Sequence, residues 1–253
     1  MKHSILSILL IGATLISYGQ GKTLYEVNMV KPKPGMISTF ESKWKTHANT
    51  FHKSDNKRMV YEITTGPYAG YFQIVEGPMS YADMDMEKST DKAHILDLEK
   101  NYFPYLDEKR MHGIYRFDDT ASYNPSVVAD KYIVTVTHVK FGQMPGTLRE
   151  SKRTALMQPK LPIPYKGSIN TYVQILSGSD PVMVTVRNLK DGYKELETNY
   201  YGAANPTNAM KDAYIKDYGQ EAWDARSKLL EDNANVASRE VYLMKLRKDL
   251  SSL

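Results

Sequence analysis

From Leu24 to Val30 the chain alternates, Tyr25, Val27 and Met29 being separated by the polar Glu26 and Asn28. A period of two marks a strand with one buried face. After Pro34-Gly35 the period changes: Ile37, Phe40, Trp44, His47, Ala48 and Phe51 recur at spacings of three and four, which places them on one stripe of a helix over 37–51. Alternation returns over 59–65, Gly66-Pro67 and Gly70 set a turn, and a further strand covers 71–76, where Gly77-Pro78 is expected to stop it. A helical stretch over 82–102 and a strand over 112–117 complete the order βαββαβ.

The same order then recurs. Strand 132–139 is followed by helix 147–158, strand 169–176, a turn, strand 182–187, helices across much of 193–233, and a closing strand 236–246. Residues recur too: Val30-Lys31 and Glu41-Ser42-Lys43 reappear 109 positions later as Val139-Lys140 and Glu150-Ser151-Lys152, each copy with a Pro-Gly break between strand and helix. The stretch 118–130 is polar, contains Pro125, and reads as a linker. The prediction is an α+β chain of two tandem ferredoxin-like domains, 23–118 and 131–248, joined by 119–130. A sheet with both helices on one face leaves its other face to be covered. Two such sheets back to back, as a pseudo-dimeric α/β barrel, cover each other.

On this element order, the two strand–Pro-Gly–helix openings and the Gly77-Pro78 break before Tyr81, the chain resembles the dimeric α/β-barrel superfamily over residues 23–247, with both protomer-like halves fused. That superfamily includes antibiotic-biosynthesis-monooxygenase-like, NIPSNAP-like and stress-responsive barrel proteins, and chlorite-dismutase-like haem proteins. The resemblance implies a substrate held between helices and sheet, among aromatic and histidine side chains. Its haem-binding members carry the axial histidine on a helix of the C-terminal half. His138, the one histidine of the second half, falls on a predicted strand, so the haem alternative lacks its ligand and no cofactor is expected.

Ahead of the first strand, Lys2 and His3 precede the apolar run 5–16, and Ser17-Tyr18-Gly19 follow. This is the layout of a cleavable signal peptide over 1–19, too short to span a bilayer. The expected mature protein is secreted or periplasmic, with no stable membrane insertion. Cysteine is absent, which excludes thiol nucleophiles, thiolate metal sites and a lipid-anchored lipobox; about 230 residues are enough to fold without disulfides. The net charge of +4 is spread over mixed-sign helices, whereas nucleic-acid binders gather basic residues on one face. Nucleic acid is therefore not an expected partner. A small-molecule ligand is, and association of pseudo-dimers into a homo-oligomer stays open.

Three places carry candidate chemistry. On the first helix, Trp44, His47 and Phe51 share a stripe; His47 could carry a proton while the rings hold an aromatic substrate, or the stripe could simply be packed. In the second half Arg153 and Leu156 stand at the positions of Trp44 and His47, so such a site belongs to the first half alone. On the strands the set opposite to Tyr25, Val27 and Met29 is mixed, with Glu26, Glu62 and Glu240 facing Arg187 as their natural partner. In back-to-back sheets this set would line a polar lumen. The third place is a set of histidines. His47 and His52 are five apart and would diverge around a helix, and Asp83, Asp85 and Glu87 lack the glycine and glutamate of a calcium loop, so no metal site is expected. Walker A, GxSxG and GxGxxG signatures are absent. The expectation is small-molecule binding in a helix–sheet cleft of the first domain. The alternatives are a cofactor-independent monooxygenase-like enzyme and a structural module with no open site.

Overall fold

The computed structural model describes residues 21–53, 57–85, 92–175, 181–197, 206–231 and 235–252. The first strand and helix fall where the period changes: β1 is Leu24–Val30 and α1 is Ile37–Phe51. Then come β2 (Arg58–Ile63), β3 (Phe72–Met79), α2 (Tyr81–Asp85), α3 (Lys92–Asn101) and β4 (Met111–Tyr123). The remaining elements are β5 (Lys131–Val139), α4 (Met144–Met157), β6 (Ile169–Ile175), β7 (Val182–Asn188), α5 (Pro206–Tyr218), α6 (Gln220–Glu231) and β8 (Val236–Leu246). The eight strands close into one antiparallel barrel in the order β1-β3-β2-β8-β5-β7-β6-β4. Closure removes every free edge that an open sheet would expose. The expected signal peptide over 1–19 and Glu87 lie outside the described residues, and no described helix is long and apolar enough to cross a membrane.

Three boundaries lie three or more residues from the expectation. β3 does not stop at Gly77-Pro78 but runs on to Met79, which pairs with Leu24. Gly77 makes this possible: its φ is +137°, and a Cβ there would stand 2.7 Å from the Leu24 carbonyl oxygen. β4 runs through the first five residues of the expected linker, Tyr123 pairing with Ile169 of β6. The irregularity between is held by Asp118, whose carboxylate accepts from the Thr120 hydroxyl at 2.6 Å and the Ala121 amide at 3.0 Å. In α4, Pro145 lies inside the first turn, where its missing N–H costs nothing.

Alternation distinguishes two strand faces, and closure of the barrel decides which is interior. Tyr61, Tyr132, Val134, Tyr242 and Met244 form the inner core. The outer face under α1 is a second core, in which Val30, Val60, Phe72 and Ile74 meet Phe40, Trp44 and Ala48. A third joins Met157 of α4 to Tyr214 and Trp223 of α5 and α6. Segment 247–252 completes the core under α1. Leu250 packs into it and accepts from Trp44 Nε1 at 2.9 Å, while the Ser251 and Ser252 hydroxyls accept from the Val60 and Arg58 amides at 2.9 and 2.7 Å.

Candidate functional site

The barrel interior holds the first candidate, a cavity of about 410 Å³ to which all eight strands contribute lining residues. Its wall is mostly tyrosine, methionine and valine, with Gln73, Asn170, Gln174, His112 and His138 as its larger polar members, and none of its described lining residues is Asp, Glu, Lys or Arg. Tyr25 meets Tyr172 and Tyr61 meets Tyr132 edge to face, each with ring centroids 5.4 Å apart. Such pairs lock the rings by their quadrupoles. Burial raises the pKa of Tyr61, Tyr172 and Tyr242, so these phenols stay neutral donors. Tyr242 donates to Gln73 Oε1 at 3.1 Å. Asn170 Oδ1 is buried with no hydrogen-bond partner, and Asn170 lines the cavity.

The expected polar lumen is thereby corrected: the inward set is the apolar one, and Glu26, Glu62 and Arg187 lie on the opposite, outer parity. Glu26 takes Asn28 Nδ2 at 3.1 Å and His112 Nε2 at 3.3 Å. Glu62 pairs with Lys245 and Arg247, both at 3.0 Å. Arg187, expected to pair with one of these carboxylates, instead lies over the Tyr165 ring. The reason is physical. A largely apolar interior offers a carboxylate no cation to pair with, whereas the outer face beyond the helices leaves these groups half-exposed, where pairing is cheap. Glu240, on the strand parity of Tyr242, accepts from the Tyr68 hydroxyl at 2.6 Å.

The second candidate lies on the other side of the sheet, where α1 ends. Trp44 and His47 are 3% and 1% exposed, so the expected aromatic stripe is packed, and the outer core fills the space beneath it. The expected divergence of His47 and His52 does not occur. α1 ends at Phe51, and His52 leaves the helix with φ −115° and ψ 64° while its amide donates to Ala48 O. Its side chain then turns back over the last turn and stacks near Trp44 at 27°. As a result His52 Nε2 lies 3.1 Å from His47 Nε2. From α3, His94 Nε2 reaches the same atom at 3.2 Å, and the three donor atoms all fall within 4.8 Å of one another. His47 Nδ1 contacts Asp97 Oδ2 at 2.7 Å, and Asn101 Nδ2 donates to Asp97 Oδ1 at 2.8 Å. Burial lowers the His47 pKa against the opposing pull of Asp97. For Asp97 itself, burial acts upward, but its hydrogen bonds with His47 and Asn101 outweigh that and hold its carboxyl below the usual range. The sequence reading weighed His52 only as diverging from His47, and did not bring His94 or Asp97 to it; the available signal was that 94, 97 and 101 share one face of a helix.

In the second half the space under α4 is a cavity of about 180 Å³ with five threonines in its wall and no histidine among its described lining residues. His138 points instead into the barrel, on the parity of Tyr132 and Val136. The residues therefore do not fit haem in the second half, where the superfamily resemblance would put it.

No family model matches the chain, and no curated protein matches it. Among solved structures it is similar to a "putative monooxygenase" from Lactobacillus acidophilus NCFM, at 10% identity and a TM-score of 0.53, covering 91% of this chain and 96% of that one. A second "putative monooxygenase", from Fusobacterium nucleatum subsp. nucleatum, gives 12% identity and 0.53 over 89% and 92%. An anthrone oxidase-like protein gives 10% and 0.55 over 90% and 92%. At these identities the likeness is one of fold: the chain has the dimeric α/β-barrel fold.

Proposed function

We propose that this is an exported protein that binds a small, uncharged, largely apolar molecule inside a barrel built of two tandem ferredoxin-like units. The tandem reading is supported by the ring, in which each half contributes four neighbouring strands, β4-β1-β3-β2 and β8-β5-β7-β6. Export is supported by the charged start and apolar run 5–16. The observation that carries the binding reading is the interior cavity. Its volume of about 410 Å³ lies within the range of small-molecule sites, which pair an apolar wall with a few placed polar groups. A wall whose described lining residues include no Asp, Glu, Lys or Arg favours an uncharged ligand, because a desolvated ion would find no permanent counter-charge. Asn170 Oδ1 offers an acceptor to a donor on that ligand. The binding site thus moves from the helix–sheet cleft to the barrel interior.

A monooxygenase-like reaction in the same cavity is the second reading. The observation favouring it is His138, whose strand parity faces the interior. It would take the proton-carrying role expected of His47, which the sheet separates from the cavity.

The test is titration with the neutral fluorescent probe N-phenyl-1-naphthylamine, alongside native mass spectrometry of protein purified from its own host. Val184 lines the cavity, and Val184→Trp should fill it and weaken probe binding at least about tenfold, or 1.4 kcal/mol, with an unchanged far-UV spectrum. Equal binding by a folded Val184→Trp variant would refute the interior site.

A further inference from the structure

Two buried imidazoles, His47 and His52, and a half-buried one, His94, gather around one point. With Nδ1 of His47 donating to Asp97, its Nε2 is an acceptor with a single in-plane lone pair. Two imidazoles address that one lone pair, at 3.1 and 3.2 Å. The same separations suit a different arrangement. With metal–nitrogen distances of about 2.0–2.1 Å, neighbouring donors of a tetrahedral site stand roughly 3.3 Å apart. Asp97 completes the pattern, because a ligating histidine characteristically gives its other N–H to a carboxylate, which fixes ring and tautomer. Asn101 in turn fixes Asp97.

We propose that Nε2 of His47, His52 and His94 form a binding site for a divalent transition-metal ion of the zinc class, with Asp97 as the residue that positions His47. Imidazole donors favour such ions over magnesium or calcium, which seek oxygen. The three ligands come from the last turn of α1, the residue after it, and α3. A bound ion therefore ties α3 to α1 and leaves a fourth tetrahedral position for water. Arg58 of β2, whose charge acts on His47, is paired with Glu76 at 2.6 Å. The site stands apart from the interior cavity, on the other face of the sheet, so each proposal can fail alone.

The experiment uses tag-free mature protein stripped with a chelator, titrated with zinc chloride by calorimetry and with cobalt chloride by visible absorption. One equivalent of zinc, the d–d bands of four-coordinate cobalt and a zinc-dependent rise in Tm are expected. His94→Gln, on the half-exposed ligand, should still fold yet lose the bands and weaken zinc binding about a hundredfold or more, and Asp97→Asn should weaken it about 10- to 100-fold. A folded wild-type protein that binds neither ion overturns the proposal. So does a His94→Gln variant that binds zinc as the wild type does. Should His52→Gln fail to fold, the His94→Gln result decides.

Discussion

Tyr214 of α5 donates its phenol proton to the Glu150 carboxylate of α4, and both residues are buried, at 0% and 4% exposure. Arg153 Nη1 reaches the same carboxylate at 3.1 Å and the phenol oxygen at 3.0 Å. Removing the phenol leaves a buried carboxylate short of a donor, the costly side of hydrogen-bond asymmetry. Tyr214→Phe should therefore destabilise the fold by about 1–3 kcal/mol, read as a lower urea midpoint at unchanged slope.

Trp44 is held from both sides, by the core under α1 and by its hydrogen bond to Leu250 O. Trp44→Phe keeps an aromatic body but loses the bond and part of the volume, so a loss of about 1–3 kcal/mol is expected. Urea unfolding followed at Trp223 would measure it, and a loss near zero would mean that the Leu250 contact contributes nothing.

Gly113 faces the interior, where an added Cβ would stand 2.8 Å from the Tyr115 ring and 2.9 Å from Gln174 Nε2. Both obstacles are ends of side chains, so Gly113→Ala should fold and push them into the cavity. Weaker N-phenyl-1-naphthylamine binding with a nearly unchanged Tm is the expected pair of readings.

Arg247 holds Asp249 by two hydrogen bonds, at 2.9 and 2.8 Å, and these depress the Asp249 pKa. A depressed carboxylate contributes stability that is present above its unfolded pKa of about 3.9 and is lost as pH falls through its lower folded value. Half-exposed as Asp249 is, the contribution is small. Between pH 5 and pH 2, as order-of-magnitude bounds on that window, the acid loss of Tm should be smaller in Asp249→Asn than in the wild type.

How far the sequence reaches can be seen residue by residue. β1, α1 and β8 lie at the limits read from periodicity, because each carries an unbroken pattern of one period. The polar face was legible as a set but not as a direction. Glu26 and Glu62 belong to one parity, yet only the ring of eight strands shows that this parity faces outward. His47 and Trp44 were visible on the α1 stripe. The convergence of His52 was not, because spacing along a helix says nothing once the backbone leaves helical geometry at residue 52. His94 and Asp97 required knowing that α3 packs beside the end of α1, a contact between elements remote in sequence.

Segment 247–252 gives the chain a constraint in time. Its Leu250 closes the core under α1 from 206 positions downstream of Trp44, and its two serine hydroxyls satisfy the β2 amides of Arg58 and Val60. The first half thus finishes its own outer core only after the second half has been synthesised. During synthesis the early half waits with an apolar surface uncovered, a stage at which chaperones, translocation machinery or proteases have access that the finished barrel denies them.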